Sequence, residues 1–135
     1  MKWYRRSADQ GYALAQYNLG VLYDTGIGVP KNKVEAVKWW RLAAEQGLAK
    51  AQYNLGFMCG KGLGVPHSYT EAMKWFLLAA EQGDTRAQYN IGIMYKNGDG
   101  VIANKAIAKQ WFVKACDNGY QQGCDRYHEL SLQGK

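Results

Sequence analysis

The stretch AQYNLG opens at Ala15 and recurs at Ala51, and AQYNIG follows at Ala87, so the chain repeats itself every 36 residues. Laid over one another, residues 15–50 and 51–86 agree at 20 of 36 positions. The next interval, 87–122, keeps the skeleton in AKQWFVKACDNG. Partial copies flank these three. KWYRRSADQGYAL at 2–14 matches KWWRLAAEQGLAK at 38–50, and GCDRYHEL at 123–130 stands in the place of AQYNLGFM. A period of this length that holds without insertion restricts the chain to stacked copies of one supersecondary unit.

Each copy reads as two helices. The first spans about 13–24, 49–60 and 85–96, with Ala15, Leu19 and Leu22 at helical spacing and a stop near Gly26, Gly62 and Gly98. The second opens on a capping box, Asn32 with Glu35 and Ser68 with Glu71, and stops at Gly47, Gly83 and Gly119. Trp39, Trp75 and Trp111 share one phase, as buried wedges between helices would. Gly20, Gly56 and Gly92 share another, where a neighbouring helix must come close. Such a pair cannot bury both its faces alone, whereas stacked pairs can. The expected fold is all-α: a right-handed α/α solenoid of about three 36-residue helix-turn-helix repeats plus partial flanking units. The layout is a single repeat domain over 1–135. It comprises a partial repeat at 1–14, repeats at 15–50, 51–86 and 87–122, and a C-terminal capping helix and tail at 123–135.

The same phasing settles the stretch GFMCGKGLG at 56–64, whose glycines around a lysine imitate a phosphate-binding loop. A P-loop requires G-x-x-x-x-G-K followed by Ser or Thr. Gly56 and Gly60 are one residue too close, and Gly62 follows Lys61. Each glycine also has a structural counterpart in another copy. No cofactor is implied.

Size and composition agree with a globular domain: 135 residues, 47% apolar, 21% charged. No run approaches a membrane span. MKWYRRSADQ lacks the apolar core of a secretory signal, although Met1 falls inside a repeat unit. The net charge of +6 permits acidic partners, but the cations are scattered, without the clustered stripe that marks nucleic-acid binding. Ser7, Ser68 and Ser131 are the only serines, and none precedes a lysine by three. Neither G-x-S-x-G nor H-E-x-x-H occurs, so the expectation is not an enzyme. His67 and His128 have no companions at zinc-ligand spacing, and no metal is expected.

The pattern A-x-x-x-L-G-x-x-Y-x-x-G-x-G-V, then A-x-x-W-[WYF], then A-A-E-Q-G resembles Sel1-like repeats, relatives of the tetratricopeptide repeats, from Lys2 to about Leu130. Cys59 departs from the tyrosine seen as Tyr23 and Tyr95, and Asp99 and Ile102 alter the third connector. The resemblance implies a bacterial scaffold or adaptor that docks a protein or peptide. It also implies that the first helix of each pair lines the concave side. There Tyr17 and Val21 share a face that becomes Lys50, Tyr53 and Phe57, then Arg86, Tyr89, Ile93 and Lys96. Aromatic rings beside cations suit a partner segment with acidic groups. On the last helix the face becomes Gln122, Asp125 and Glu129, and the sign reverses. Asn18, Asn54 and Asn90 flank the strip. In chaperone-binding tetratricopeptide domains, residues like Asn54 and Arg86 hold a terminal carboxylate, but Tyr17, Val21 and Asn90 depart from the rest of that clamp.

In the cysteine-rich branch of the family, cysteines spaced like Cys116 and Cys124 bridge neighbouring helices, which implies the same disulfide here, with Cys59 left over and buried. A disulfide favours the periplasm or secretion over the cytoplasm. That branch is also linked to β-lactam hydrolysis, which makes a hydrolase one alternative reading. A nucleic-acid binder acting through a basic groove is the other.

Overall fold

The computed structural model describes residues 2–133, with side chains from Arg5 onward. Every described element is an α-helix: α1 (Lys2–Asp9), α2 (Ala13–Thr25), α3 (Lys33–Glu45), α4 (Ala49–Lys61), α5 (Tyr69–Glu81), α6 (Thr85–Asn97), α7 (Lys105–Asp117) and α8 (Gln121–Gln133). The starts of α2, α4, α6 and α8 are 36 apart, as are those of α3, α5 and α7, so the sequence period is the structural period. The chain divides into two compact units, Met1–Trp75 and Phe76–Lys135, and the boundary falls inside α5.

The connector from a first helix to its second is set by local hydrogen bonds. Gly26, Gly62 and Gly98 are left-handed, with φ of 77°, 68° and 76°, and each donates its N–H back to the carbonyl four residues earlier. Only glycine takes that conformation without a Cβ penalty. Asn32, Ser68 and Asn104 then cap the second helices through side-chain oxygens that accept from Glu35, Glu71 and Ile107 N–H. The capping box is made by halves. The backbone N–H of Asn32 is already held by Tyr23 O at 2.8 Å, and that of Ser68 by Cys59 O at 2.9 Å. No amide is left for the glutamate to accept from. Glu71 turns to Arg41 instead, while Glu35 Oε2 is buried with no partner among the described residues.

A second device joins each second helix to the next first helix. Gln16 donates its side-chain amide to Ala8 O, Gln52 to Ala44 O and Gln88 to Ala80 O, each at 3.2 Å and each buried. The partner is always eight residues back. Gln46 and Asn118, thirty residues on, donate in turn to the Oε1 of Gln16 and Gln88. A buried amide is thereby satisfied at both ends, which removes the cost of burying it.

In the N-terminal unit Ala8, Ala15, Leu19 and Trp39 form a core cluster against Leu22 and Tyr23. In the C-terminal unit Ala108, Phe112 and Leu130 do so against Tyr89, Ile93, Tyr95 and Tyr127. Trp39 and Trp75 are buried wedges as the phasing requires, but Trp111 is only half-buried. The close approach at Gly20 and Gly92 is made by the second aromatic of each pair. A Cβ on Gly20 would stand 2.5 Å from Trp40 Nε1, and one on Gly92 2.5 Å from Phe112 Cε1.

Candidate functional site

Helical spacing places the candidate residues on one side of α2 and α4 in the N-terminal unit. Tyr17, Val21, Tyr53 and Asn54 are half-buried, Lys50 is exposed, and Phe57 is 39% exposed. Their rings and cations engage one another. Lys50 Nζ lies 5.9 Å from the Tyr17 ring centre, tying α4 to α2. Tyr53 and Phe57 stack at 6.5 Å, and Lys61 Nζ sits 5.9 Å from the Phe57 ring. Lys61 was not among the residues expected from sequence. It stands four after Phe57, and that spacing on a helix was the available signal. The strip is an aromatic surface with cations at both margins.

In the C-terminal unit the equivalent residues Arg86, Tyr89, Asn90, Ile93 and Lys96 are all half-buried, and their chemistry differs. Arg86 is held by Asp84, the N-cap of α6, at 2.9 Å. Tyr89 packs on Phe112 and Tyr120, with ring centres 5.6 and 5.3 Å away. Its hydroxyl accepts from Arg126 Nε at 3.1 Å. Arg126 stands at the phase of Asn18, Asn54 and Asn90, and it also pairs with Glu129. Asp125 accepts from Gln121. Exposed cations beside accessible rings are therefore concentrated on α4.

A polar cluster lies elsewhere in the N-terminal unit. Arg41 on α3 donates to Glu71 on α5 at 2.7 Å. That bond holds the Glu71 carboxyl below the usual carboxylate range, against the opposing effect of burial. Cys59, in the tyrosine position, is buried close by, and burial pushes its thiol up to about 11. A thiol so placed is protonated at neutral pH and a poor nucleophile. Because the Glu71 pKa is depressed, its stabilisation is present above the unfolded carboxylate pKa and is lost as pH falls through the folded value. Glu71→Gln should lower stability at neutral pH by about 1 kcal/mol or less, since both partners are about a third exposed. Urea midpoints should converge at about pH 3. A gap that persists in acid would show that the pair stabilises by packing alone.

Cys116 and Cys124 form a disulfide, with Cα atoms 4.7 Å apart. They occupy the places of Ala8 and Gln16, Ala44 and Gln52, and Ala80 and Gln88, so the covalent bond replaces the hydrogen-bonded staple of the other copies. Among the described residues no group of three His, Cys, Asp or Glu side chains is gathered as a metal site. No described helix is long and apolar enough to cross a membrane.

A structure of a Sel1 repeat protein from Oxalobacter formigenes is 45% identical to this chain, with a TM-score of 0.85 over 87% of it and 49% of its own length. A protective antigen present in uropathogenic Escherichia coli strains, displaying an SLR fold, is 42% identical, with a TM-score of 0.96 over 99% of this chain and 29% of its own. The chain thus spans about half of the first and under a third of the second. Cysteine-rich protein B of Helicobacter pylori matches at a TM-score of 0.69 over 92% of this chain and 89% of its own, at 20% identity, a likeness of fold. No curated protein matches the chain. These likenesses agree with the all-helical solenoid expected from the period. The Sel1 repeat model matches residues 1–12, 13–48, 49–84 and 85–120, and the chain belongs to the Sel1 repeat family.

Proposed function

We propose that the chain is a non-catalytic docking module that holds a partner protein segment bearing acidic groups on the aromatic strip of α2 and α4. Sel1 repeats generally serve as protein-interaction scaffolds, which supports the coarse reading. The observation that carries the finer one is the exposed ring of Phe57 stacked on Tyr53, with Lys61 and Lys50 at the margins. Aromatic side chains offer contact area at low entropic cost, and lysines at the rim select carboxylates and steer their approach. Asn54 supplies an amide beside the rings. Arg86, Tyr89, Asn90, Ile93 and Lys96 form the corresponding face of α6, where Lys96 offers a further cation. The disulfide fits an oxidising compartment, the periplasm or the exterior.

The test is affinity capture from the source organism with intact protein against a Tyr53→Ala/Phe57→Ala variant, followed by titration of the captured segment. The variant should bind at least about tenfold more weakly, as expected when two central aromatic anchors are removed. Lys50→Glu should slow association without changing helical content. Undiminished capture by the double variant would remove the strip from consideration.

A further inference from the structure

We propose that α7 and α8 form a second docking groove, one that takes an acidic amphipathic helix of a partner protein. This surface is separate from the aromatic strip and does not depend on it. The N-terminal unit shows what the same surface does elsewhere in the chain. There the face of α3 is covered by the start of α5, with Arg41 bonded to Glu71 across the contact. Val37, Trp39 and Leu55 beneath it are all buried. Seventy-two residues on, their counterparts are Lys109, Trp111 and Tyr127, and Val113 replaces Arg41. All four are half-buried. Lys109, Gln110, Val113 and Tyr127 wall a cleft of about 440 Å³, and Trp111 and Lys114 border another of about 400 Å³ beside it. Among the described residues no helix covers this face, yet it is shaped like one that takes a helix within the same chain. It continues an interface that the fold already uses.

The substitutions define the occupant. Lys109 stands where Val37 is core, and its Nζ lies 5.9 Å from the Tyr127 ring on the floor of the groove. An apolar helix laid over it would strand a charge away from water, a cost of several kcal/mol unless a carboxylate meets it. Lys105 and Lys114 extend the positive field along α7, and Asp117 is the single acid on that helix. The short Val113, in place of a long arginine, leaves room for a large apolar anchor. The fitting partner is therefore a helix with a bulky apolar side chain for the cleft and glutamates about one turn away. A second copy suits it poorly. Its α1 is the segment related to the covering helices, but α1 carries Arg5 and Arg6 and would set like charges opposite Lys109.

The experiment uses the intact oxidised chain and two fluorescein-labelled helical peptides of four turns. Both carry leucine and phenylalanine on one face. One has glutamates at the flanks of that face, and its twin has lysines. Anisotropy should show the acidic peptide bound at least about tenfold more tightly than the twin. Lys109→Glu should reverse that order. Gln110→Glu, at an exposed position that leaves the fold alone, should weaken the acidic peptide several-fold. Lys50→Glu should leave its binding intact. Equal affinity for the two peptides, or an unchanged order in Lys109→Glu, overturns the proposal. So does loss of the acidic peptide in Lys50→Glu, which would put it on the aromatic strip. Self-association of the chain that disappears in Lys109→Glu would give the groove to a second copy and overturn it equally.

Discussion

Gly92→Leu is expected to cost about 3 kcal/mol or more, the upper range for forcing volume into a packed core. The cause is local. A Cβ at Gly92 would lie 2.5, 2.7 and 3.0 Å from Cε1, Cδ1 and Cζ of Phe112, inside any real contact distance. Phe112 has no exposed surface and sits in a cluster with Ala108 and Leu130, so its ring cannot swing away. Gly83→Ala is the comparison that isolates sterics from backbone strain. Gly83 has φ of 93°, and a methyl added there would meet no atom within 4 Å, so it should lose only the roughly 1–2 kcal/mol of a left-handed alanine. Chemical denaturation followed by far-ultraviolet circular dichroism gives both values. Combining Gly92→Leu with Phe112→Ala should recover part of the loss, because the added and removed volumes overlap. Strict additivity would mean that the leucine acts away from that ring.

The contact between Gly92 and Phe112 also marks where sequence reading stops. A 36-residue period reports phase, and phase gave the helices nearly residue for residue: 13–24 was expected where α2 is Ala13–Thr25. It assigned the wedge to the first aromatic of each pair. The residue that meets the glycine is the second, Trp40 or Phe112, one position and about 100° around the helix. That choice depends on how neighbouring helices cross, and crossing angle is not written in spacing. The same gap explains why Arg41 with Glu71, Gln46 with Gln16 and Asn118 with Gln88 were not anticipated. Each pair is thirty residues apart and joins different helices or their caps. At the candidate strip, Tyr17, Tyr53 and Phe57 were legible from steps of three and four. That Asp84 would hold Arg86 was not, since an N-cap aspartate is recognised by the amides it binds rather than by a side chain two residues on. The glutamine staple had a visible signal, an Ala and a Gln eight apart in three copies. Its meaning emerged only when the amide was found on the carbonyl.

That staple makes the disulfide a measurable exchange of one device for another. Cys116→Ala with Cys124→Ala should cost about 2–3 kcal/mol, the chain-entropy value for closing so short a loop. Cys116→Ala with Cys124→Gln rebuilds the pair that the other copies use, and should recover about 1 kcal/mol through one amide-to-carbonyl bond. The order wild type, Ala/Gln, Ala/Ala should hold under oxidising conditions. Dithiothreitol should lower the wild type alone. Alkylation supplies the check on the starting state: with the thiol of Cys59 buried, the native oxidised chain should take no label, the denatured chain one, and the reduced denatured chain all three. The loss should be felt first in α8, the last described helix, which the disulfide ties directly to α7, so amide exchange there should quicken before exchange in α6. If Ala/Gln proves no better than Ala/Ala, the glutamines of the other copies are passengers of packing, and the disulfide does something at α8 that a hydrogen bond cannot.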